Sequence, residues 1–437
     1  MSTAHDEDVI VAAATPPGRG AIALIRLSGA SARDLGARLC PEGPAWHPRR
    51  AALRRATSND NTVIDDVLVV WMPGPRSYTG EDVVELSCHG NPAIVDAIVA
   101  RCVALGARPA GPGEFTRRAL VSGRLDLVQA EAVDGLIRAQ TLSGVQAARA
   151  GLDGRLKEAF DHLREQILDF GAELEARLDH PGEDLGEVSD GTLVAQMQAC
   201  AAEVQELAGT WDATRRRIEG ATVALVGAVN AGKSSLFNHL VGTDRALVSA
   251  EPGTTRDAVE RTVDWDGLRV TFLDTAGQRH TTGAIEAAGI ALGRRLASDA
   301  DLRLYVFDPR GPTPVPTTSP GWTVATHLDL VPSASAHHHI SNRTGAGIDT
   351  LRQALRGWLG AVDPTGQAVV GSQRQHDLLQ RVATHIHHAI EAFEVGVGPV
   401  VAAEELVLAL ERLGSLSGQT AREDVLDRLF SRFCVGK

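Results

Sequence analysis

The residues Gly227-Ala228-Val229-Asn230-Ala231-Gly232-Lys233-Ser234 fit the pattern G-x-x-x-x-G-K-[ST]. Backbone N–H groups can wrap a phosphate only where side chains stand clear, so glycines bound the loop. The lysine brings a point charge to the β- and γ-phosphates, and the Ser234 hydroxyl can ligate Mg2+. TVALVG before the loop reads as a short apolar strand, and LFNHLVG after it as a helix start. Asn230, Ala231, Gly232, Lys233, Ser234 and Ser235 are therefore the expected phosphate contacts.

RVTFL reads as a second strand and runs into Asp274-Thr275-Ala276-Gly277. An aspartate there reaches Mg2+, usually through water, and the Gly277 N–H can sense a γ-phosphate. Between the two lies Pro252-Gly253-Thr254-Thr255-Arg256-Asp257, placed like a switch whose threonine closes on Mg2+ only with the γ-phosphate present. These elements, in this order, predict a GTPase-type switch domain. A base-reading N-K-x-D is expected after a later strand, but VATHLDL offers Thr326-His327-Leu328-Asp329. Asp329 can accept hydrogen bonds from guanine N1 and N2, where adenine offers no donor to match. Thr326 is shorter than asparagine, His327 is a candidate to stack on the base, and Ser341-Asn342-Arg343 replaces the usual S-A-K. The expectation is GTP preference with weakened affinity or discrimination.

These side chains need a scaffold, and the chain has the length for one. Its 437 residues, 43% hydrophobic, suggest about three domains and exclude global disorder. A net charge of −12 argues against a small basic nucleic-acid binder, while leaving room for a local patch. Arg215-Arg216-Arg217 reads either as such a patch or as a solvated helix face. Five scattered cysteines with no CxxC pair argue against a disulfide scaffold or zinc ribbon and suit a reducing compartment. There is no basic-then-apolar leader pattern and no run approaching a membrane span, so a cytoplasmic protein without a membrane segment is expected. Lysine occurs only as Lys157, Lys233 and Lys437 among 43 basic residues, which singles out the two that fall in motifs. His337-His338-His339 lies in a loop and His385/His387/His388 on a helix face. Neither has acidic or cysteine partners at ligand spacing in the sequence, so neither reads as a metal site.

Residues 1–120 alternate short β-branched runs with Gly/Pro turns and predict an α+β domain. Residues 121–217 are poor in proline, with apolar residues recurring at three and four, and predict a helical segment. An α/β domain of P-loop type follows over 218–368, with a Pro-rich loop at 309–321 where such a domain often places a helix. Helical pattern returns over 369–437. The economical fold class is multidomain α/β and α+β, with the P-loop domain inserted into a helical domain.

Several blocks are more specific than the phosphate loop. ATPPGRGAIALIRLSG, SYTGEDVVELSCHGNP, GEFTRRALVSGRLDLVQAEAVDGLI, PGTTRD, DTAG and FCVGK resemble those of the MnmE (TrmE) family, the tRNA-uridine modification GTPases, over essentially the whole chain. The resemblance implies an N-terminal domain that binds a tetrahydrofolate one-carbon derivative and forms a homodimer. It implies a flavoprotein partner, MnmG, in a heterotetramer, and a tRNA substrate. The shared product is an aminomethyl-type group, such as 5-carboxymethylaminomethyl, at C5 of the wobble uridine. GTP hydrolysis would need K+ as well as Mg2+.

By position, the resemblance assigns folate contacts to Arg26, Glu85, Arg124 and Lys437. It assigns K+ to Asn230, Ser249, Glu251 and Thr254, and Mg2+ to Ser234 and Thr255. Glu286 matches the family's water-orienting glutamate, while Gln278 directly after DTAG stands where Ras-like GTPases orient the water with glutamine. Cys434 matches a candidate nucleophile or proton-handling group, and its alternative is a buried structural thiol. A reading from a different class also stands: a regulatory GTPase that switches an RNA-protein assembly without covalent chemistry.

Overall fold

The computed structural model describes residues 8–179, 189–242, 259–265, 267–274, 298–316, 320–331, 335–360, 367–395, 398–418 and 423–436. The chain divides into two compact units. One comprises the chain through Ala130 together with the segment from Leu413 onward, and the other runs from Glu131 to Arg412.

The first unit is built on a six-stranded sheet of order β3-β4-β5-β2-β1-β6. Its strands are β1 (Ile10–Ala13), β2 (Ile22–Ser28), β3 (Ala52–Thr57), β4 (Val63–Met72), β5 (Val83–His89) and β6 (Arg108–Pro109). Period-two alternation sends Ile25, Leu27, Val67, Val84 and Leu86 into the core, where each is fully buried. Helices α1 (Ala32–Leu39) and α2 (Pro92–Ala104) supply Leu39, Ile98 and Cys102 to the same core. The Asn91 side chain caps α2 by accepting from the Ala93 N–H at 3.0 Å, and proline stands at the first helical position, where no N–H is needed. Helix α3 (Glu114–Val121) follows, then α4 (Leu127–Arg138), within which the boundary between units falls. The C-terminal segment with α12 (Glu423–Phe430) belongs here, anchored by buried Phe430 and Phe433 against Ala130.

In the second unit another six-stranded sheet has the order β12-β11-β10-β7-β9-β8. It comprises β7 (Ala221–Val226), β8 (Val259–Trp265), β9 (Leu268–Asp274), β10 (Leu302–Phe307), β11 (Gly321–Ala325) and β12 (His338–His339). All neighbours are parallel except the β8–β9 pair. LRLYVF of β10 is buried at every residue, as a central parallel strand covered on both faces must be. Helices α8 (Lys233–Val241) and α9 (Ile348–Gly360) cover the sheet through Leu236, Leu240, Leu351 and Leu355. The helical elements are α5 (Leu142–Ala150), α6 (Arg155–Asp179), α7 (Asp190–Glu219), α10 (Gln373–Glu394) and α11 (Pro399–Ser417), the last crossing into the first unit. No described helix is long and apolar enough to cross a membrane.

Two sequence expectations change. The arginine run on α7 is neither a solvated face nor a free patch. Arg215 pairs with Asp301, Arg216 lies 4.5 Å over the Trp358 ring, and Arg217 donates to Ser143 Oγ and the Gly360 carbonyl, both at 3.0 Å. The run ties α7 to α5, to α9 and to the residue that precedes β10. His338 and His339, expected in a loop, pair with Val324 and Ala325 as edge strand β12.

Glu131 is 6% exposed and holds the start of α10. It accepts from Arg374 Nε (2.8 Å) and Nη2 (2.9 Å), Gln375 Nε2 (2.6 Å) and Ser372 Oγ (2.9 Å). Removing the carboxylate takes its acceptor from the buried Gln375 amide and an ion-pair partner from the partly buried Arg374, so Glu131→Ala should cost about 3–5 kcal/mol, read from urea midpoints. In the first unit, Arg108 bridges Asp8 (2.8 Å) and Glu114 (2.6 Å), and Arg118 reaches Asp8 and Glu81. Burial pushes the Asp8 and Glu114 carboxyls up, but bonds from Arg108, joined by Arg118 at Asp8 and the Gly111 N–H at Glu114, outweigh it and hold both below their ordinary values. Carboxylates depressed in the folded state contribute stability above their unfolded pKa and lose it as pH falls. The thermal midpoint should thus be flat from pH 7 to about 5 and fall below about pH 4, and Arg108→Met should blunt that fall.

Candidate functional site

The phosphate loop joins β7 to α8, and three of its residues have positive φ. Asn230 has φ 65° and Gly232 φ 89°, both left-handed, while Gly227 has φ 157°. A Cβ on Gly227 would lie 2.0 Å from the Val306 carbonyl oxygen of β10, and one on Gly232 would meet Asn342 Nδ2 at 2.6 Å. The glycines therefore permit a close approach of backbone to backbone as well as the turn itself.

Lys233 opens α8, is 4% exposed, and donates from Nζ to the carbonyls of Gly227 (2.9 Å) and Ala228 (2.6 Å). Burial pushes its pKa down, with Asp274 opposing. The ammonium is thus held inside the loop, satisfied by carbonyls until a stronger anion competes. Ser234 Oγ donates to Asp274 Oδ2 at 2.7 Å, which joins the loop's hydroxyl to the aspartate at the end of β9. A hydroxyl and a carboxylate oxygen at this separation suit Mg2+, which takes oxygen ligands and retains several waters. Ala231 packs into the sheet core, and Asn230 and Ser235 are exposed.

The second loop of the site leaves β11. Thr326, 1% exposed, donates to the Phe307 carbonyl at 3.0 Å and contacts His327 Nδ1 at 2.9 Å. The shorter side chain is thereby tied to the end of β10. Asp329 accepts from Ser341 Oγ at 2.7 Å and pairs with Arg343 Nε at 3.2 Å. The Ser341 bond, more than the Arg343 charge, holds the Asp329 carboxyl below its ordinary range, so it remains an acceptor at neutral pH.

Sequence reasoning passed over Asn342. Its Nδ2 donates to the Gly232 carbonyl at 3.1 Å, and its own carbonyl contacts His239 Nε2 at 2.9 Å. It links the base loop to the phosphate loop and to α8. The signal was present in the departure from S-A-K, where a side chain with a donor replaces a methyl group.

In the first unit, Arg26 and Glu85 are directly opposite in the β2–β5 pairing. Arg26 donates to Glu85 Oε1 from Nε (2.9 Å) and Nη2 (2.8 Å), and its Nη1 lies 3.4 Å from the Gly436 carbonyl. Tyr78 and Phe115 rings lie 5.4 and 5.7 Å from its guanidinium. Arg124 Nε donates to the carbonyl of Ser77, the residue before Tyr78, at 3.1 Å. The tail reaches this place through a Pro112–Val435 bridge and a Gly113 N–H to Cys434 carbonyl bond of 3.3 Å. Gly436, at φ 93°, passes so near β1 that a Cβ would lie 2.4 Å from the Ala13 carbonyl. Of the five thiols, all free, four are buried and Cys434 is exposed. Burial pushes Cys40 and Cys102 up to about 12, which makes them inert. Ser249, Glu251, Thr254, Thr255, Thr275, Ala276, Gly277, Gln278, Glu286 and Lys437 lie outside the described residues.

Comparison with known proteins covers the chain almost end to end. The family model for the MnmE helical domain matches residues 127–434, and that for the GTP-binding protein TrmE N-terminus matches 9–124. The tRNA modification GTPase MnmE of Myxococcus xanthus is 42% identical over 98% of both chains. The proteins of that name from Thermus thermophilus and Synechococcus are 39% and 38% identical, each over 99% of both chains. Among solved structures, the G domain of the T. maritima FeoB iron transporter matches at TM-score 0.24 and 24% identity, over 32% of this chain and 98% of that one, a likeness too slight to argue from.

Gly227→Ala should weaken guanine-nucleotide binding at least about tenfold, since the new methyl meets a backbone carbonyl that cannot move aside. Gly209→Ala on α7, with nothing within 4 Å of the added Cβ, should leave binding unchanged. Fluorescence anisotropy with a labelled GDP reads both.

Proposed function

The chain belongs to the MnmE family of tRNA modification GTPases, and on that premise we propose that it hydrolyses GTP to drive modification of the wobble uridine of certain tRNAs. One observation carries this reading. The glycine-bounded loop holds Lys233, Ser234 and Asp274 together, and Asn342 links that loop to Asp329 and Ser341.

Each residue has a part. Lys233 neutralises the β/γ-phosphates, Ser234 would hold Mg2+ directly, and Asp274 would hold it through water. Held by these two side chains, Mg2+ would supply positive charge against the charge that develops on the phosphates during transfer. Asp329 accepts from guanine N1 and N2. Adenine offers no donors at those places, so the bonds to the carboxylate would be lost, at about 1–3 kcal/mol. K+ would sit against Asn230, with Ser249, Glu251 and Thr254 completing its shell, and would supply the positive charge that other GTPases take from an arginine. Thr255 would close on Mg2+, the Thr275–Gly277 backbone would sense the γ-phosphate, and Glu286, or else Gln278, would orient the attacking water.

The first unit is proposed to take the tetrahydrofolate one-carbon derivative. Both bonds from Arg26 to Glu85 end on Oε1, which leaves Oε2 to accept from a ligand N–H. Arg26, Arg124 and Lys437 are the cations for its carboxylates. Exposed Cys434, on the tail beside this pair, is the proposed nucleophile or proton carrier toward the uracil ring. The protein would act in the cytoplasm as a homodimer, together with MnmG.

Two measurements test this reading. GTP turnover should be faster in KCl than in NaCl and absent with ATP, and Asn230→Ala should abolish the difference between salts. Equal rates in both salts would remove the K+ assignment. With MnmG, tRNA and a folate donor, Arg26→Ala should lose tRNA modification while GTP turnover persists. Full modification by that variant would refute the folate site. GTP turnover by the wild type with no modification under any condition would favour a regulatory switch.

A further inference from the structure

We propose that His385, His388 and Glu405 form a binding site for a divalent transition cation of the zinc type, within the second unit and separate from both sites above. His385 and His388 are three apart on α10 and so share a face. Glu405 comes from α11, beyond a short connection. Its Oε2 receives His385 Nδ1 at 2.7 Å and lies 3.6 Å from His388 Nδ1. The two rings stand edge-on, 6.4 Å apart between centroids. One ligand atom from each of the three residues lies within 4.8 Å of the others, the one such grouping of three potential ligands among the described residues.

Two imidazole nitrogens and a carboxylate oxygen are a zinc donor set, with a fourth position left for water. Tetrahedral bonds of about 2.0–2.2 Å place donor atoms roughly 3.3 Å apart. The His385–Glu405 pair must open slightly and the widest pair must close. His388, whose side chain is 55% exposed, has the freedom to do so, while His385 and Glu405 are 19% and 22% exposed and already oriented. Each histidine would ligate as neutral imidazole, with its remaining proton on the ring nitrogen away from the cation. His387 takes no part, because its Nε2 contacts Gln205 Nε2 at 3.0 Å. His337 is likewise engaged, with its Nδ1 2.7 Å from Thr323 Oγ1. In the sequence, neither histidine group had an acidic partner at ligand spacing. Glu405 becomes that partner only through the placement of α11. A bound cation would staple α10 to α11.

The test uses the full chain, freed of metal by a chelator and then held in excess Mg2+ so that hard-cation sites stay filled. Zn2+ titrated by calorimetry should bind at one site per chain and raise the thermal midpoint. Co2+ should give the visible absorption of a four-coordinate complex. Glu405→Gln and His388→Ala should each weaken Zn2+ binding at least about tenfold and remove the thermal shift, while His387→Ala should retain both. No Zn2+ binding at micromolar concentration would overturn the proposal and leave a histidine–carboxylate pair. Equal binding by wild type, Glu405→Gln and His388→Ala would overturn it as well, and would place the ion on other histidines. Far-UV circular dichroism confirms that each variant is folded.

Discussion

A polyphosphate is gripped by backbone amides only where the chain can turn tightly with no side chain in the way, and much of the second unit answers to that constraint. Gly227 brings the loop against the Val306 carbonyl, which fixes how β7 lies beside β10. Gly232 opens α8 in a left-handed conformation, and Lys233, the first residue of the helix, points back into the loop. The parallel sheet, buried on both faces, then acts as the rigid backing. Val223, Leu225, Leu304 and Val306 are fully buried, and a loop mounted on such strands holds its shape.

The same economy governs the base loop. Asp329 can discriminate only if its carboxylate is aimed and kept ionised. Ser341 does both with one hydrogen bond, and Thr326 secures the preceding turn by bonding to β10. Asn342 makes phosphate and base loops one mechanical object. Where the chain departs from the usual motif, the substituted side chains have partners within the fold: Thr326 bonds to the end of β10 and Asn342 to the phosphate loop.

In the first unit the controlling interaction is a charge pair across two strands. Arg26 and Glu85 are opposite in register, and the tail returns to within hydrogen-bond reach of Arg26. Phe430 and Phe433 anchor that return by burial, and Gly436 allows the final approach to β1. The result brings the Gly436 carbonyl, near the end of the chain, to a paired, partly buried guanidinium near its start, with exposed Cys434 two residues earlier on the same tail.

Local chemistry was legible in the sequence because it depends on short spacings. The strand, glycine loop, lysine and serine of the phosphate site lie within a few residues, and the apolar periods of the helices and strands are equally local. What depended on long-range contact was not. Arg215, Arg216 and Arg217 looked like a solvated run until Asp301, Trp358, Ser143 and Gly360 supplied their partners. Glu131 gave no sign that it would be met by Arg374 and Gln375. Asn342 stood out only as a mismatch, and Glu405 had no reason to be read with His385 and His388. In each case the sequence names a side chain that must be satisfied once buried, while the packing of distant elements decides by what.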